Sequence, residues 1–256
     1  MMQTTTAPDA RPVAVVTGAT GGLGEHICHA LAQAGFRVAA GYRSSAGTAQ
    51  ALVEQLAGTG HCALASPVTD SAALTRLAED IESRYGRCDA LVNCAGTTRF
   101  VAHDDLDGLD DALIDDVLAT NVRGPFAMVR ALARLLKLSD LPGGGVVVNI
   151  SSIAAQTAMG SNVIYCASKA ALDNLTKSLA RALSPAIRVV SVSPGLVDTE
   201  FVKSMDQAWR DEQAIRTPLG RLAQPEEIAF AVLATIRDLR FTTGCVLPVD
   251  GGRPLR

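Results

Sequence analysis

The chain has 256 residues, 48% of them apolar, and a formal charge near −3, enough to bury one large core; without basic runs or interleaved aromatic and basic residues, nucleic acid is excluded as a partner. No window reaches about 18 uninterrupted apolar residues, and MMQTTTAPDARP lacks the basic start and apolar centre of a signal peptide, so no membrane span and a cytoplasmic location are expected. Cys28, Cys62, Cys88, Cys94, Cys166 and Cys245 are scattered without C-x-x-C pairs, which argues against both a metal site and a disulfide framework.

In chain order, residues 1–11 form a polar tail expected to be flexible. VAVVTGATGG then reads as a buried strand broken by glycines, and EHICHALAQAG shows helical spacing through Leu23, Ile27, Leu31 and Ala34. FRVAAGYR and HCALASP follow as strands, TAQALVEQLAG and SAALTRLAEDIESRYG as helices, and CDALVNCAG as another strand. The acidic HDDLDGLDDALIDD reads as a solvated loop and helix start, leading into one helix through DALIDDVLATNVRGPFAMVRALARLLK. Next come the strand GGVVVNISS, a helix containing VIYCASKAAL, the strand IRVVSVSPG, the helix PEEIAFAVLATIRDL and the closing strand CVLPVDGG. Seven strands separated by helices imply parallel pairing, and no linker divides them. The expected architecture is therefore a single α/β domain over 12–256, a doubly wound parallel sheet with helices on both faces.

In TGATGGLG, glycines stand at 18, 22 and 24, between a strand and a helix. Their spacing, G-x-x-x-G-x-G, permits a tight turn and lets amides at a helix N-terminus approach a pyrophosphate; a glycine turn with no ligand is the plain alternative. The second strand ends in Gly41-Tyr42-Arg43-Ser44, where an NAD enzyme usually carries an acid for the ribose 2′-hydroxyl. A guanidinium and a hydroxyl suit a 2′-phosphate instead, against the alternative of a surface arginine at a strand end.

Tyr165 and Lys169 stand four apart on a helix and share a face. A phenol, with a reference pKa of about 10, exchanges its proton poorly at neutral pH, and a nearby ammonium favours the phenolate. Thirteen residues upstream of the tyrosine, Ser152 falls at the C-terminal end of a strand, where doubly wound sheets place their ligands. Without further context, Y-x-x-x-K reads first as a surface pair.

Taken together, TGATGGLG, NCAG at 93 to 96, NV at 121, the serine pair at 151, YCASK at 165 and SPG at 193 resemble, in order and spacing, the short-chain dehydrogenase/reductase family, over residues 12 to 252. The resemblance implies a seven-stranded Rossmann-type sheet and a nicotinamide cofactor, here NADP(H). It implies that Tyr165 is the proton donor, that Ser152 orients the carbonyl and that Lys169 binds the nicotinamide ribose and favours the phenolate. Asn121 matches the helix-embedded asparagine that holds a water behind the lysine. The cofactor is implied to lie against Gly18, Thr20, Gly22, Leu23, Gly24, Tyr42, Arg43, Ser44 and Val68. Asn93, Ala95 and Gly96 support it and the central sheet, and Pro194, Gly195, Val197 and Thr199 carry the carboxamide and a phosphate contact.

The closing TPLGRLAQPEEIAFAV and TTGCVLPVDGG resemble the 3-oxoacyl-acyl-carrier-protein reductase branch, and are shared with sugar, steroid and polyol enzymes. Two departures stand out. Many relatives have an acid before the valine after strand three, where this chain reads Ser66-Pro67-Val68. LSDLPGGG and LSPAIR, beside the expected mouth, are poor in the positive charge that meets an acidic carrier. The segment near 198–220, with Phe201, Met205 and Trp209, resembles the family's substrate lid, although a plain amphipathic helix fits equally; Phe100 and Met159 are expected at the same pocket. The four histidines have no ligand spacing. The expected partner is a small carbonyl or alcohol substrate, with an acyl carrier protein as a further option, in a homotetramer packed through helices at 105 to 135 and 160 to 183. A non-catalytic dinucleotide-binding regulator is the competing class; the complete Asn121, Ser152, Tyr165 and Lys169 set argues for the enzyme.

Overall fold

The computed structural model describes residues 10–255, so most of the expected N-terminal tail, residues 1–9, lies outside the described residues. The seven strands are β1 (Val13–Thr17), β2 (Arg37–Tyr42), β3 (Cys62–Ala65), β4 (Ala90–Asn93), β5 (Gly145–Ile150), β6 (Ile187–Pro194) and β7 (Val246–Val249). They form one sheet in the order β3-β2-β1-β4-β5-β6-β7, with every pairing parallel. Their connections supply α1 (Gly22–Gln33), α2 (Ala46–Gln55), α3 (Ser71–Tyr85), α4 (Asp111–Leu118), α5 (Gly124–Leu136), α6 (Ala154–Thr157), α7 (Val163–Leu183), α8 (Glu200–Lys203), α9 (Gln207–Ile215) and α10 (Pro225–Arg237).

The strands are apolar throughout because both faces are covered. Ala14 and Val16 of β1, Ala90 and Val92 of β4, and Val146 and Val148 of β5 pack with Ile27 and Leu31 of α1 and Ile228 and Val232 of α10. The intervening Val15, Leu91 and Val147 pack on the other face with Leu74 and Leu77 of α3 and Met128 and Leu132 of α5. Each large side chain fully buried in this way contributes roughly 1.5–3 kcal/mol of transfer free energy. The strand order reverses between β1 and β4, which opens a crevice at their C-terminal ends.

A row of polar residues crosses the sheet at those ends. Thr17 is in register with Asn93, Asn93 with Asn149, and Asn149 with Ser191, all on the face of Val15, Leu91 and Val147. Asn93 Nδ2 donates to Asn149 Oδ1 (2.9 Å), Asn149 Nδ2 donates to Thr176 Oγ1 (2.8 Å), and Thr176 and Ser191 share a 2.8 Å hydroxyl contact. Buried polar groups persist when paired in this way, and the row ties four strands and α7 together beneath the crevice.

The long helix expected through 111–137 is not continuous. A π-turn at Ala119–Arg123 separates α4 from α5. One extra residue widens the turn, and Pro125 just beyond it has no N–H to lose. The consequence is to aim Thr120 and Asn121 inward, where both are buried.

Candidate active site

The glycine turn is held by contacts that exclude side chains. Gly18 has φ +64°, and a Cβ there would lie 2.9 Å from Ala95 Cα; one on Gly24 would lie 2.2 Å from the Gly18 carbonyl oxygen. These two close the turn on itself. Gly22 differs: its nearest protein neighbour is the Thr199 Cβ at 3.5 Å, an ordinary contact. Gly21, before the helix, offers no side chain to cap it, so amides of the first turn of α1 face the crevice.

That crevice is a cleft of about 340 Å³. Of the expected cofactor residues, Gly18, Thr20, Gly22, Leu23, Gly24, Arg43, Ser44, Val68, Ala95 and Gly96 line it. Gly21, Ser45, Ser66, Thr69, Cys94, Thr97 and Thr120 line it as well and were not anticipated as contacts. Most belong to turns that directly follow strands, so strand ends alone are the signal that could have found them. Thr17 Oγ1 accepts from the N–H groups of Cys94 (3.1 Å) and Ala95 (3.0 Å), which fixes the floor. No lining residue is acidic, and Arg43 and Ser44 are exposed beside the uncapped start of α2.

Ser66, one residue before the Pro67 that stands where many relatives carry an acid, is 3% exposed and its Oγ has no hydrogen-bond partner. It sits against Gly41, where a Cβ would come within 2.3 Å of that oxygen. Tyr42 ends β2 beside it, its carbonyl accepting from Ser66 N at 2.7 Å. Asn93 does not line the cleft; its side chain is spent inside the sheet, on Asn149.

On the other side of the cleft stand the residues expected to carry chemistry. Lys169 is buried on α7, its Nζ donating to the Ile150 carbonyl at 2.8 Å and lying 5.6 Å from the centre of the Tyr165 ring. The shared face expected of the pair is thus present. Asn162 caps α7, its Oδ1 accepting from Tyr165 N at 2.6 Å, which sets the first turn that carries the tyrosine. Ser152 follows β5, and its Oγ accepts from Ala154 N at 3.2 Å, leaving the hydroxyl proton for another acceptor. Asn121 donates both amide hydrogens, to the Thr97 carbonyl (3.0 Å) and to Ser168 Oγ (3.1 Å). A Cβ on Gly96 would lie 3.4 Å from Asn121 Oδ1 and 3.8 Å from Lys169 Nζ, so the cleft floor and the lysine adjoin. Burial pushes the Cys94 thiol up to about 12, which keeps it neutral.

After β6, the turn 194–199 bends over the glycine turn. Pro194 O accepts from Ile153 N (3.0 Å), Gly195 N donates to Val249 O (3.1 Å), and Val197 bridges Ala223. Beyond Thr199 the chain forms α8 and α9. No described residue of α9 is buried; the helix is held by Arg210 on Asp198 (2.7 Å) and by Arg253 on Gln213. Trp209 is half-exposed, and the side chain of Phe201 lies outside the described residues. Phe100 and Met159 are exposed, on two loops joined by Val101 N to Ser161 O (2.8 Å) and Asn162 Nδ2 to Arg99 O (2.7 Å).

Two of the histidines hold local structure. His61 Nδ1 accepts from Val38 N (3.1 Å), and burial holds its pKa below the ordinary value; His103 bonds Gly160 O. Among the described residues no group of three or more potential ligands gathers to hold a metal, and no helix is long and apolar enough to cross a membrane.

Comparison with known proteins agrees with this geometry. A family model described as enoyl-(acyl carrier protein) reductase matches residues 18–253. The chain is 37% identical over 258 residues to the ketoacyl reductase 2 assigned to the granaticin polyketide synthase of Streptomyces violaceoruber, covering 98% of this chain and 99% of that protein. It is 36% identical to the D-threitol dehydrogenase of Mycolicibacterium smegmatis, with 95% and 93% covered. The crystal structure of a short-chain dehydrogenase/reductase from Burkholderia xenovorans superposes with a TM-score of 0.89 at 34% identity, covering 97% of this chain and all of the other.

Proposed function

The chain belongs to the short-chain dehydrogenase/reductase family, whose members use a nicotinamide cofactor, and from that premise we propose that it is an NADP(H)-dependent reductase of a small ketone or free 3-oxoacyl thioester. The observation that carries the reading is the acid-free cleft, with Arg43 and Ser44 at the uncapped start of α2, directly beside the Lys169 and Tyr165 pair.

The residues fit a dinucleotide. The first-turn amides of α1, approached past Gly22, suit the pyrophosphate, and Arg43 with Ser44 suits a 2′-phosphate. Val68 and the Ser66 hydroxyl would face the adenine, Ala95 and Gly96 the ribose, and Pro194 to Thr199 the carboxamide end. When bound, the reduced nicotinamide supplies a hydride to the substrate carbon. Ser152 then donates a hydrogen bond to the carbonyl oxygen, Tyr165 gives that oxygen its proton, and the Lys169 ammonium favours the phenolate left behind. With both amide hydrogens of Asn121 already donated, any water behind Lys169 falls to the backbone of the π-turn. We assign α8 and α9 the part of a lid, since two arginine clamps rather than apolar burial hold α9 down.

A polyol dehydrogenase is the second reading, favoured by the likeness to the D-threitol enzyme. One panel separates them: absorbance of NADPH and NADH with ketones, 3-oxoacyl thioesters, quinones and steroids, and of the oxidised cofactors with sugar alcohols. Turnover of a ketone or thioester with NADPH supports the proposal; turnover confined to polyols with NAD sinks it.

A further inference from the structure

Lys169 and Asp173 lie one helical turn apart on α7, and both are more than nine-tenths buried, at 6% and 8% exposure. A buried ammonium is costly without a counter-charge. The partners of Lys169 are a carbonyl oxygen and the face of a ring, and the nearby Cys94 thiol is neutral. Asp173 is the buried carboxyl one turn further along the same helix, and the Lys169 ammonium is among the charges that pull its pKa down.

The surroundings of Asp173 are unfinished. Its Oδ1 and the Oγ of Ser151, the residue next to Ser152, are both buried, and neither makes a well-formed hydrogen bond although the Ser151 hydroxyl faces the carboxyl. The charged groups that act on it are Lys177 and Lys169 of its own helix, while β5 and β6 face it with the hydroxyls of Ser151 and Ser191. Ser191 is the end of the polar row that begins at Thr17. Burial, the larger effect, pushes the carboxyl above the usual carboxylate range, and the two hydroxyls and two ammoniums pull it back.

We propose that Asp173 is a positioning residue for the reduction, supplying as a carboxylate the counter-charge that holds the Lys169 ammonium against Tyr165. The role in turnover rests on the reductase reading above; the coupling between the two side chains does not. When Asp173 takes up a proton the ammonium loses that anchor, so turnover falls on the acid side at a pH above the ordinary carboxylate range.

Two measurements test it. In the first, kcat/KM for NADPH-driven reduction is followed against pH in the wild type, Asp173→Asn and Lys177→Gln. Asp173→Asn should lose the acid limb and run about tenfold slower at neutral pH, mostly in kcat. Lys177→Gln alters an exposed residue and should move the limb upward by a few tenths of a unit. A limb that survives in Asp173→Asn, or one that ignores Lys177→Gln, overturns the proposal, and the second variant decides if the first fails to fold. The second measurement needs no turnover. Difference infrared spectroscopy follows the Asp173 carboxyl band, which should titrate about one unit higher in Lys169→Gln. An unmoved band overturns the pairing; a moved band in a protein that reduces no carbonyl sustains the pairing and refutes the reductase reading instead.

Discussion

Asn121 holds the backbone of Thr97 from both sides: its Oδ1 accepts from Thr97 N at 2.9 Å, and its Nδ2 donates to the Thr97 carbonyl at 3.0 Å. The second amide hydrogen goes to Ser168 Oγ, which donates to the Tyr165 carbonyl at 2.8 Å. One side chain thus fastens the loop after β4, which floors the cleft, to the helix that carries Tyr165. Replacing it by Leu, of similar size, leaves buried backbone and hydroxyl groups unpaired. Asn121→Leu should cost about 2–4 kcal/mol in urea unfolding. A loss under about 0.5 kcal/mol would show that the clamp adds nothing to the fold.

Tyr165→Phe keeps the ring beside Lys169 and removes only the hydroxyl. Turnover on the best carbonyl should fall by about 10²- to 10⁴-fold, while the dissociation constant for NADPH, read by fluorescence titration, stays within about twofold. A variant that keeps most of the rate would assign the proton to another group.

The proposed preference for NADP(H) turns on Arg43, exposed in an acid-free cleft rim. NADP(H) should bind more tightly than NAD(H), and Arg43→Asp should reverse the order, since a carboxylate repels the 2′-phosphate and accepts from a 2′-hydroxyl. Equal dissociation constants for both cofactors in the unmodified protein would defeat the claim.

What could be read from residues alone follows period and adjacency. The apolar strands, the glycine turn and the i, i+4 pair of Tyr165 and Lys169 are local patterns, and the fold reproduces them. Asn93, expected to support both the cofactor and the central sheet, has its side chain inside the sheet, on the face that Leu91, two residues before it, gives to the core. The π-turn at Asn121 was invisible because a one-residue widening leaves no mark in propensity; it exists to satisfy Thr97 and Ser168, which are distant in sequence. Nothing in the local sequence marks Asp173, because only the packing of β5 and β6 against α7 buries it.

Ala158, which ends α6, has φ +54° and is the one non-glycine residue with positive φ among those described. The left-handed conformation costs a residue with a Cβ roughly 1–2 kcal/mol, and glycine gives back part of that gain through its freer unfolded chain. Ala158→Gly should therefore stabilise the protein by about 0.5–1 kcal/mol, measured as an upward shift of the denaturant midpoint. A destabilised variant would mean that the Ala158 methyl packs usefully on the loop that holds Met159.

The last prediction concerns how substrate is presented. An acidic carrier protein would need free positive charge at the mouth, and such encounters weaken in salt. Four cations of the loops and helices around the mouth are already paired: Arg99 with Asp110 (3.5 Å), Lys203 with Glu200 (2.8 Å), Arg210 with Asp198 (2.7 Å) and Arg216 with Glu212 (2.5 Å). Asp104, Asp105 and Asp107 add exposed negative charge on the loop that carries Arg99 and Phe100. Arg130 and Lys137 of the α5 region are exposed, but Arg130 is engaged with Ser71 and the Phe126 ring. A free 3-oxoacyl thioester should therefore be reduced about as efficiently as the same acyl group on a carrier, with little salt dependence in either case. A carrier-bound substrate preferred by more than about tenfold, roughly 1.4 kcal/mol of extra transition-state binding, and losing that preference in salt, would show instead that those ion pairs open to admit the carrier.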